Sequence, residues 1–382
     1  MSIREVRNSR DMFLATAADL ALRPFAFLVS LFRGERKGRA APDAEVKKIL
    51  IMRADNIGDV VMATPLAREL KRTFRDAKID MLVMPEAVSL FKKNPNIENV
   101  IPYRGYRTIA QVRANGYGLA IEPRGDIRYI FFLFLAGIRR RAGFDRAGGA
   151  YMLTDVVPYE PGMSVCERNM EIIRYFDKGT GAEEHTELFE TEAGAKEADA
   201  LLAEIGAGKR IAGIFPCSKF AAKEWEPGKF GILAKKLSDD GFFPVICGEN
   251  GEAEKCKKAA DSSGGRAVDC AGKLSLEGLV SLIKRCECII GNDSAPARIA
   301  EALGVPAVVI YGPMDPDIVK PCLRPGVKFK AVFKRLPCSF CNSMKVLPAR
   351  CRGRAVPECL EKLEVEEVYS ALRELTAGTA SK

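Results

Sequence analysis

Histidine and tryptophan are almost missing. The 382-residue chain holds one of each, His185 and Trp225. A single histidine excludes mechanisms built on two, such as H-E-x-x-H zinc hydrolysis. A Ser-His-Asp triad would have to use His185, and nothing around that residue resembles a nucleophile elbow. Internal repeats and low-complexity tracts are absent as well. Residues 12–32 are mostly apolar, but Asp19, Arg23 and Pro24 interrupt them. A spanning helix needs about 20 predominantly apolar residues, and the same charges spoil a signal-peptide core.

What surrounds that stretch is basic: Arg4, Arg7 and Arg10 before it, Arg33, Arg36, Lys37 and Arg39 after it. An interfacial helix on an anionic membrane fits this pattern. A helix packed on the protein's own surface fits it too, and a cleaved signal peptide is the third reading. Over the whole chain Lys+Arg outnumber Asp+Glu by 59 to 50. The excess is concentrated between Lys320 and Arg354, where ten Lys or Arg meet no Asp or Glu. Such a block expects an anionic partner, or is a solvated basic face. RNA is a poor candidate, because stacking aromatics beyond Phe329, Phe333 and Phe340 are lacking and no RNA-binding module is recognised. No nucleic-acid partner is expected. Most of the twelve cysteines lie singly in apolar runs, as Cys247, Cys286 and Cys288 do. They read as buried reduced thiols in a reducing compartment.

A composition of 47% hydrophobic and 29% charged residues is globular, and the length suits two domains. Residues 1–45 read as the N-terminal amphipathic, basic segment and a linker. Short apolar strands then alternate with amphipathic helices, which implies parallel sheets with helices on both faces. The strands include Lys47–Met52, Ile79–Met84, Asn99–Pro102 and Leu119–Glu122. The pattern restarts at Arg210–Phe215 and continues through Phe242–Cys247, Leu276–Arg285 (helix), Cys288–Ile290, Ser294–Leu303 (helix) and Ala307–Tyr311. A last helix spans about Val365 to Leu375. Two Rossmann-like domains are expected, 46–207 and 208–382, with their boundary near Gly206–Lys209.

Three segments carry chemistry. The first βα turn, Arg53-Ala-Asp-Asn-Ile-Gly58-Asp59 through Pro65, is not G-x-G-x-x-G, so the dinucleotide fingerprint is absent. It faces the crevice of such a sheet, and helix N-terminal amides favour a charged Asp59. A simple N-cap aspartate is the alternative. In the second domain, Lys219 and Lys223 follow a strand end and suit a diphosphate as point charges. Trp225 either walls the cleft or anchors the core. In Gly291-Asn-Asp293-Ser294-Ala295 a strand opens into a helix whose free amides make an anion site, or an ordinary capped helix. Separately, Cys338-x2-Cys341-x9-Cys351-x7-Cys359 has metal-site character. Four thiolates would bind zinc, against free thiols or a local disulfide.

Together these segments resemble glycosyltransferase family 9, the lipopolysaccharide heptosyltransferase group, from about Lys47 to the C-terminus. The opening x-x-x-G-D-x-x-x-x-x-P motif is matched at Gly58-Asp59 to Pro65, K-x-W at Lys223 to Trp225, and D-S/T-G-x-x-H at Asp293-Ser294. Tyr311 to Pro316 matches Y/F-G-P-x-D-P. The family's glycine is Ala295 here and its histidine is Arg298. The resemblance implies a GT-B-like α/β architecture, two Rossmann-like domains with parallel sheets facing a central cleft. It implies an inverting, metal-independent glycosyltransferase moving a sugar, heptose from ADP-heptose, to a lipopolysaccharide core or related lipid-linked glycan. Asp59 would be the base and Lys223 the leaving-group partner. Lys219, Glu252 (ribose side), Leu274 (adenine side), Asp293, Ser294, Ala295 and Arg298 would hold the donor; Arg298 either contacts the diphosphate bidentately or alters which donor fits. No D-x-D pair stands in a loop read as facing the cleft. The expected location is cytoplasmic, peripheral on the inner face of the inner membrane. The competing expectation is a catalytically silent nucleotide-binding scaffold at the membrane surface.

Overall fold

The computed structural model describes residues 23–24, 26–29, 45–146, 148–178, 181–207, 210–341, 351, 353–354 and 356–377. The chain divides into two compact units, residues 1–185 and 186–382. The first has strands β1 (Lys48–Arg53), β2 (Lys78–Val83), β3 (Asn99–Pro102), β4 (Leu119–Glu122), β5 (Arg140–Phe144) and β6 (Asp155–Val157). They form one parallel sheet in the order β3-β2-β1-β4-β5-β6. Its helices are α1 (Ile57–Val61), α2 (Thr64–Thr73), α3 (Ile109–Ala114), α4 (Ile127–Leu135) and α5 (Val165–Phe176). Every residue of β1 after Lys48 is buried, as a strand covered on both faces requires.

The second unit has strands β7 (Ile211–Phe215), β8 (Phe243–Ile246), β9 (Val268–Asp269), β10 (Cys288–Asn292), β11 (Ala307–Ile310) and β12 (Phe329–Val332). They are parallel, in the order β12-β11-β10-β7-β8-β9. Its helices are α6 (Glu192–Glu204), α7 (Pro227–Asp239), α8 (Ala253–Ser262), α9 (Leu276–Arg285), α10 (Ala295–Leu303), α11 (Glu358–Glu361) and α12 (Val365–Thr376). Numbered within its own unit, each sheet reads 3-2-1-4-5-6, the doubly wound nucleotide-binding order. The order reverses between β1 and β4, and again between β7 and β10. Loops leaving the carboxyl ends of such strand pairs diverge and open a crevice for ligands.

The division at His185 lies upstream of the expected boundary, and α6 is the reason. Gly194 sits so close to α9 that an added Cβ would come 2.4 Å from the Glu277 carbonyl oxygen. Glu197 accepts from the Ser275 amide at 2.7 Å, and Arg285 pairs with Asp199 at 2.6 Å. These contacts bind α6 into the second unit.

Of the N-terminal segment, residues 26–29 are helical. Ala26 is buried with Ile130 and Phe134 of α4 and with Met152 and Leu153. Arg23 lies over the Tyr151 ring at 5.6 Å. The described part therefore packs on its own unit, while Phe27 and Leu28 remain 68% and 53% exposed. The rest of the predicted interfacial helix lies outside the described residues. Among those described, no helix is long and apolar enough to cross a membrane. Ten cysteines are free thiols.

Candidate active site

At the carboxyl end of β1 the chain turns into α1, and Asp59 stands in its first turn. The N-cap is Asn56, with no side-chain cap bond, so Asp59 is not a capping aspartate. Its carboxylate is held from two sides. Arg53 Nη2 lies 3.6 Å from Oδ1, and Asn56 Nδ2 donates to Oδ2 at 3.3 Å. Arg53 Nε also donates to the Asp59 carbonyl at 3.2 Å. The Asp59 side chain is 38% exposed, so it is oriented and still reachable.

Across the switch point stands Glu122, which the sequence reading passed over. A carboxylate closing a fully buried strand was the available signal. Its Oε2 accepts from the amides of Gly125 and Asp126. Oε1 is buried with no partner among the described residues. Burial pushes its carboxyl up to about 8, against the pull of Arg53. Between its ordinary 4.5 and about 8 the folded state holds a proton that the unfolded state has lost. Stability therefore falls as pH rises through that window. Glu122→Gln is expected to gain Tm relative to wild type progressively from pH 5 to pH 8. Thermal unfolding at both pH values checks this, and a gap that does not widen would show that Glu122 is not the titrating group.

In the second unit Lys223 ends a short turn, Ala221–Lys223, after β7. Its Nζ lies 2.5 Å from Asp293 Oδ2. Asp293 follows β10, so the pair joins the two loops where the sheet order reverses. Asp293 Oδ1 in turn meets Arg298 Nη2 at 3.3 Å. Arg298 is 5% exposed and also engages Glu301 at 3.0 Å and the Val319 carbonyl at 2.5 Å. Burial alone would lower its pKa, but Tyr311, Glu301 and Asp293 outweigh burial and raise it. The guanidinium thus faces carboxylates of its own unit, in place of the open diphosphate contact expected from sequence. It orients Asp293, and Asp293 orients Lys223.

Trp225 is fully buried, edge-on to Phe230 at 5.0 Å, with Nε1 donating to the Leu363 carbonyl at 3.1 Å. It is the core anchor, not a cleft wall. Its backbone N–H donates to Asn292 Oδ1 at 3.0 Å, and Asn292 Nδ2 donates to the Pro216 carbonyl at 2.8 Å. Asn292 thereby ties the Lys223 loop to β10, a role the sequence reading missed. A fully buried asparagine at the end of Ile-Ile-Gly-Asn marks it in retrospect.

Helix α10 begins at Ala295, with Pro296 in its first turn. Ala295 does not have positive φ, so alanine fits where the resembled family has glycine. First-turn amides of a helix lack intrahelical acceptors. Ser294 makes no cap bond, and its Oγ is buried without a partner among the described residues. Hydroxyl, amides and Lys223 together suit an anion. Lys219 is exposed in the β7 loop. On the other side of β7, the Gly272 N–H donates to the Gly248 carbonyl at 2.9 Å. This joins the loops carrying Glu252 and Leu274, both half-buried. Glu252 accepts from the Glu249 amide at 2.9 Å, and burial holds its carboxyl above the ordinary range. The predicted donor residues therefore share the carboxyl edge of one sheet.

The predicted metal ligands are less well supported. Cys338, Cys341 and Cys359 are half-buried and Cys351 is buried. Burial pushes the Cys359 thiol up to about 11, with Cys341 and Cys351 adding to the rise. Among the described residues no group of three or more His, Cys, Asp or Glu is arranged to hold a metal ion. The Asp315-Pro-Asp317 pair forms a local turn, Asp315 Oδ1 accepting from the Asp317 amide at 3.0 Å.

Comparison with known proteins agrees with the two doubly wound parallel sheets. The family model for glycosyltransferase family 9 (heptosyltransferase) matches residues 106–345, more than half of the chain. Lipopolysaccharide heptosyltransferase 2 of Escherichia coli K12 is 28% identical over 299 residues, 72% of this chain and 85% of that protein. The structure of E. coli ADP-heptose lps heptosyltransferase II matches with a TM-score of 0.70 at 21% identity, over 87% of this chain and 100% of that one. E. coli heptosyltransferase WaaC with ADP matches with a TM-score of 0.64 at 18% identity, over 87% and 99%. The last two likenesses establish the GT-B-like fold.

Proposed function

The chain belongs to glycosyltransferase family 9, the heptosyltransferase family, and is a glycosyltransferase; from that premise we propose that it moves a heptose from ADP-heptose onto a lipopolysaccharide core or related lipid-linked glycan, with inversion and without a metal. Asp59 takes the acceptor hydroxyl proton as that oxygen bonds to the anomeric carbon. The bond from that carbon to the diphosphate oxygen breaks, and ADP leaves with the electron pair. Lys223 and the first-turn amides of α10 meet the charge developing on the diphosphate. One observation carries the reading: Lys223 is fixed 2.5 Å from Asp293, next to Ser294, whose hydroxyl has no partner among the described residues, at the switch point of the second sheet. A fixed cation and free amides serve the leaving group as a divalent ion would, which supports the metal-free reaction. ADP as the donor's nucleotide is supported by the similar structures described with ADP or named for ADP-heptose.

A thermal-shift screen of ADP, UDP, GDP and dTDP tests the donor, since a ligand of the native state alone raises Tm. ADP is expected to give the largest shift. In Lys223→Ala its affinity should drop by about 1.5–3 kcal/mol, roughly 10- to 150-fold. A preference for another nucleotide would overturn the ADP assignment. ADP binding with no transfer to any lipid-linked glycan would favour the silent scaffold.

The same proposal places the enzyme in the cytoplasm, peripherally on the inner membrane. The exposed Phe27 and Leu28, in a segment flanked by arginines, support this. Replacing both with Asp is expected to weaken binding to phosphatidylglycerol vesicles roughly tenfold or more without lowering Tm. Unchanged cosedimentation would remove this segment from a membrane role.

A further inference from the structure

The network that begins at Lys223 continues past Arg298. Lys223 meets Asp293 at 2.5 Å, Asp293 meets Arg298 at 3.3 Å, and Arg298 meets Glu301 Oε2 at 3.0 Å. The other Glu301 oxygen, Oε1, accepts from the Cys322 amide at 2.5 Å and from Thr186 Oγ1 at 3.2 Å. The Thr186 amide in turn donates to the Cys322 carbonyl at 3.0 Å. Charges therefore alternate along the path, Lys, Asp, Arg, Glu, and two uncharged donors close it. Thr186 and Glu301 are both buried, so bulk water has no access to their bond.

Thr186 is also where the chain enters the second unit. On the first-unit side of that crossing, Arg68 Nη2 donates to the Glu183 carbonyl at 2.6 Å and to the His185 carbonyl at 3.0 Å. Arg68 belongs to α2, and its Nε meets the fully buried Glu69 carboxylate at 3.2 Å. The linker is thus tied to one unit through His185 and to the other through the next residue, Thr186. Burial holds the Glu301 carboxyl above its ordinary range, while Arg298, the Cys322 amide and the Thr186 hydroxyl draw it back toward the charged form. A buried carboxylate short of one donor is a weaker partner for a guanidinium. Arg298 would then lean on Asp293, and Asp293 would hold Lys223 less firmly. A lysine not held in place must be ordered when a phosphate arrives, and that ordering lowers affinity.

We infer that Thr186 and Glu301 are positioning residues of the donor site: from the linker, the Thr186 hydroxyl sets Lys223 for a nucleoside diphosphate through Glu301, Arg298 and Asp293. The inference rests on the reading of Lys223 as the diphosphate partner.

Calorimetric titration of ADP into the full-length protein tests it. Thr186→Val keeps the shape of the side chain and removes its hydroxyl. ADP affinity is expected to fall roughly 3- to 10-fold, the contribution of one neutral hydrogen bond. Thr186→Ser, which keeps the hydroxyl, should restore most of that loss. Glu301→Gln should weaken ADP at least as much as Thr186→Val does. If the glutamine variant does not fold, the valine and serine variants still decide. The double variant separates positioning from packing. In a Lys223→Ala background Thr186→Val should change ADP affinity by less than about twofold, because the residue it acts through is gone. A merely structural role would give the same loss with or without Lys223. Equal loss in both backgrounds, no loss in Thr186→Val, or a serine variant as weak as the valine one would overturn the positioning role and leave Lys223 in the donor site. ADP binding unchanged in Lys223→Ala would remove the donor reading, and the positioning role with it.

Discussion

Asp59→Ala is expected to lower kcat for transfer by about 10²–10⁴-fold, the contribution of a positioned general base, while leaving ADP affinity unchanged. In the proposed mechanism the base would work on the acceptor, from the first unit, and the diphosphate contacts would belong to the second. The fold should tolerate the loss, because Arg53 keeps its ion pair with Asp55. Steady-state ADP release with acceptor present, alongside ADP titration of the same variant, measures both effects. Transfer within about tenfold of wild type would remove Asp59 from the mechanism.

Arg298→Ala should be the most destabilising single change at the donor edge. It strips a buried guanidinium from Glu301, which is 1% exposed, and from Asp293. Removing one partner of a buried pair costs about 3–5 kcal/mol, enough to lower Tm of the second unit by on the order of 10 °C. Among the described residues Glu301 would keep its bonds from Thr186 Oγ1 and the Cys322 amide. Arg298→His should be milder at low pH. An imidazolium between two carboxylates has its pKa raised, so its stabilisation is present while protonated and is lost as pH climbs through that raised value. Denaturant unfolding at about pH 6 and pH 8 reads both variants. A loss below about 1 kcal/mol in Arg298→Ala would mean that the guanidinium is not load-sharing in this network.

The strongly periodic parts of the fold were legible in the sequence. The helix predicted over Leu276–Arg285 is found with those ends, and β1, β4, β10 and β11 fall within a residue or two of their apolar runs. Strand β5 was missed because Arg140-Arg-Ala-Gly-Phe carries two charges and a glycine. Burial there depends on partners distant in sequence: Arg140 pairs with Asp155 at 2.9 Å, and Arg141 donates to the Met152 carbonyl at 2.6 Å. Two-residue β9 gives no periodicity to detect. At the candidate site, residue identity exposed Asp59, Lys223 and Asp293, but not how charges are shared out. Whether Arg298 reaches a ligand or a neighbouring carboxylate depends on side-chain direction, which spacing on a helix leaves open. Glu122 and Asn292 became visible only once the strand order had brought their surroundings together.

Trp225 also determines what can be seen by light. It is the sole tryptophan, wholly buried in the second unit and two residues from Lys223. Tryptophan emission is therefore silent about the first unit, whereas far-ultraviolet dichroism sums the helices of both. If the two units melt as one, the two signals coincide on heating; if they melt separately, the curves part, and their spacing measures the difference in stability between the halves.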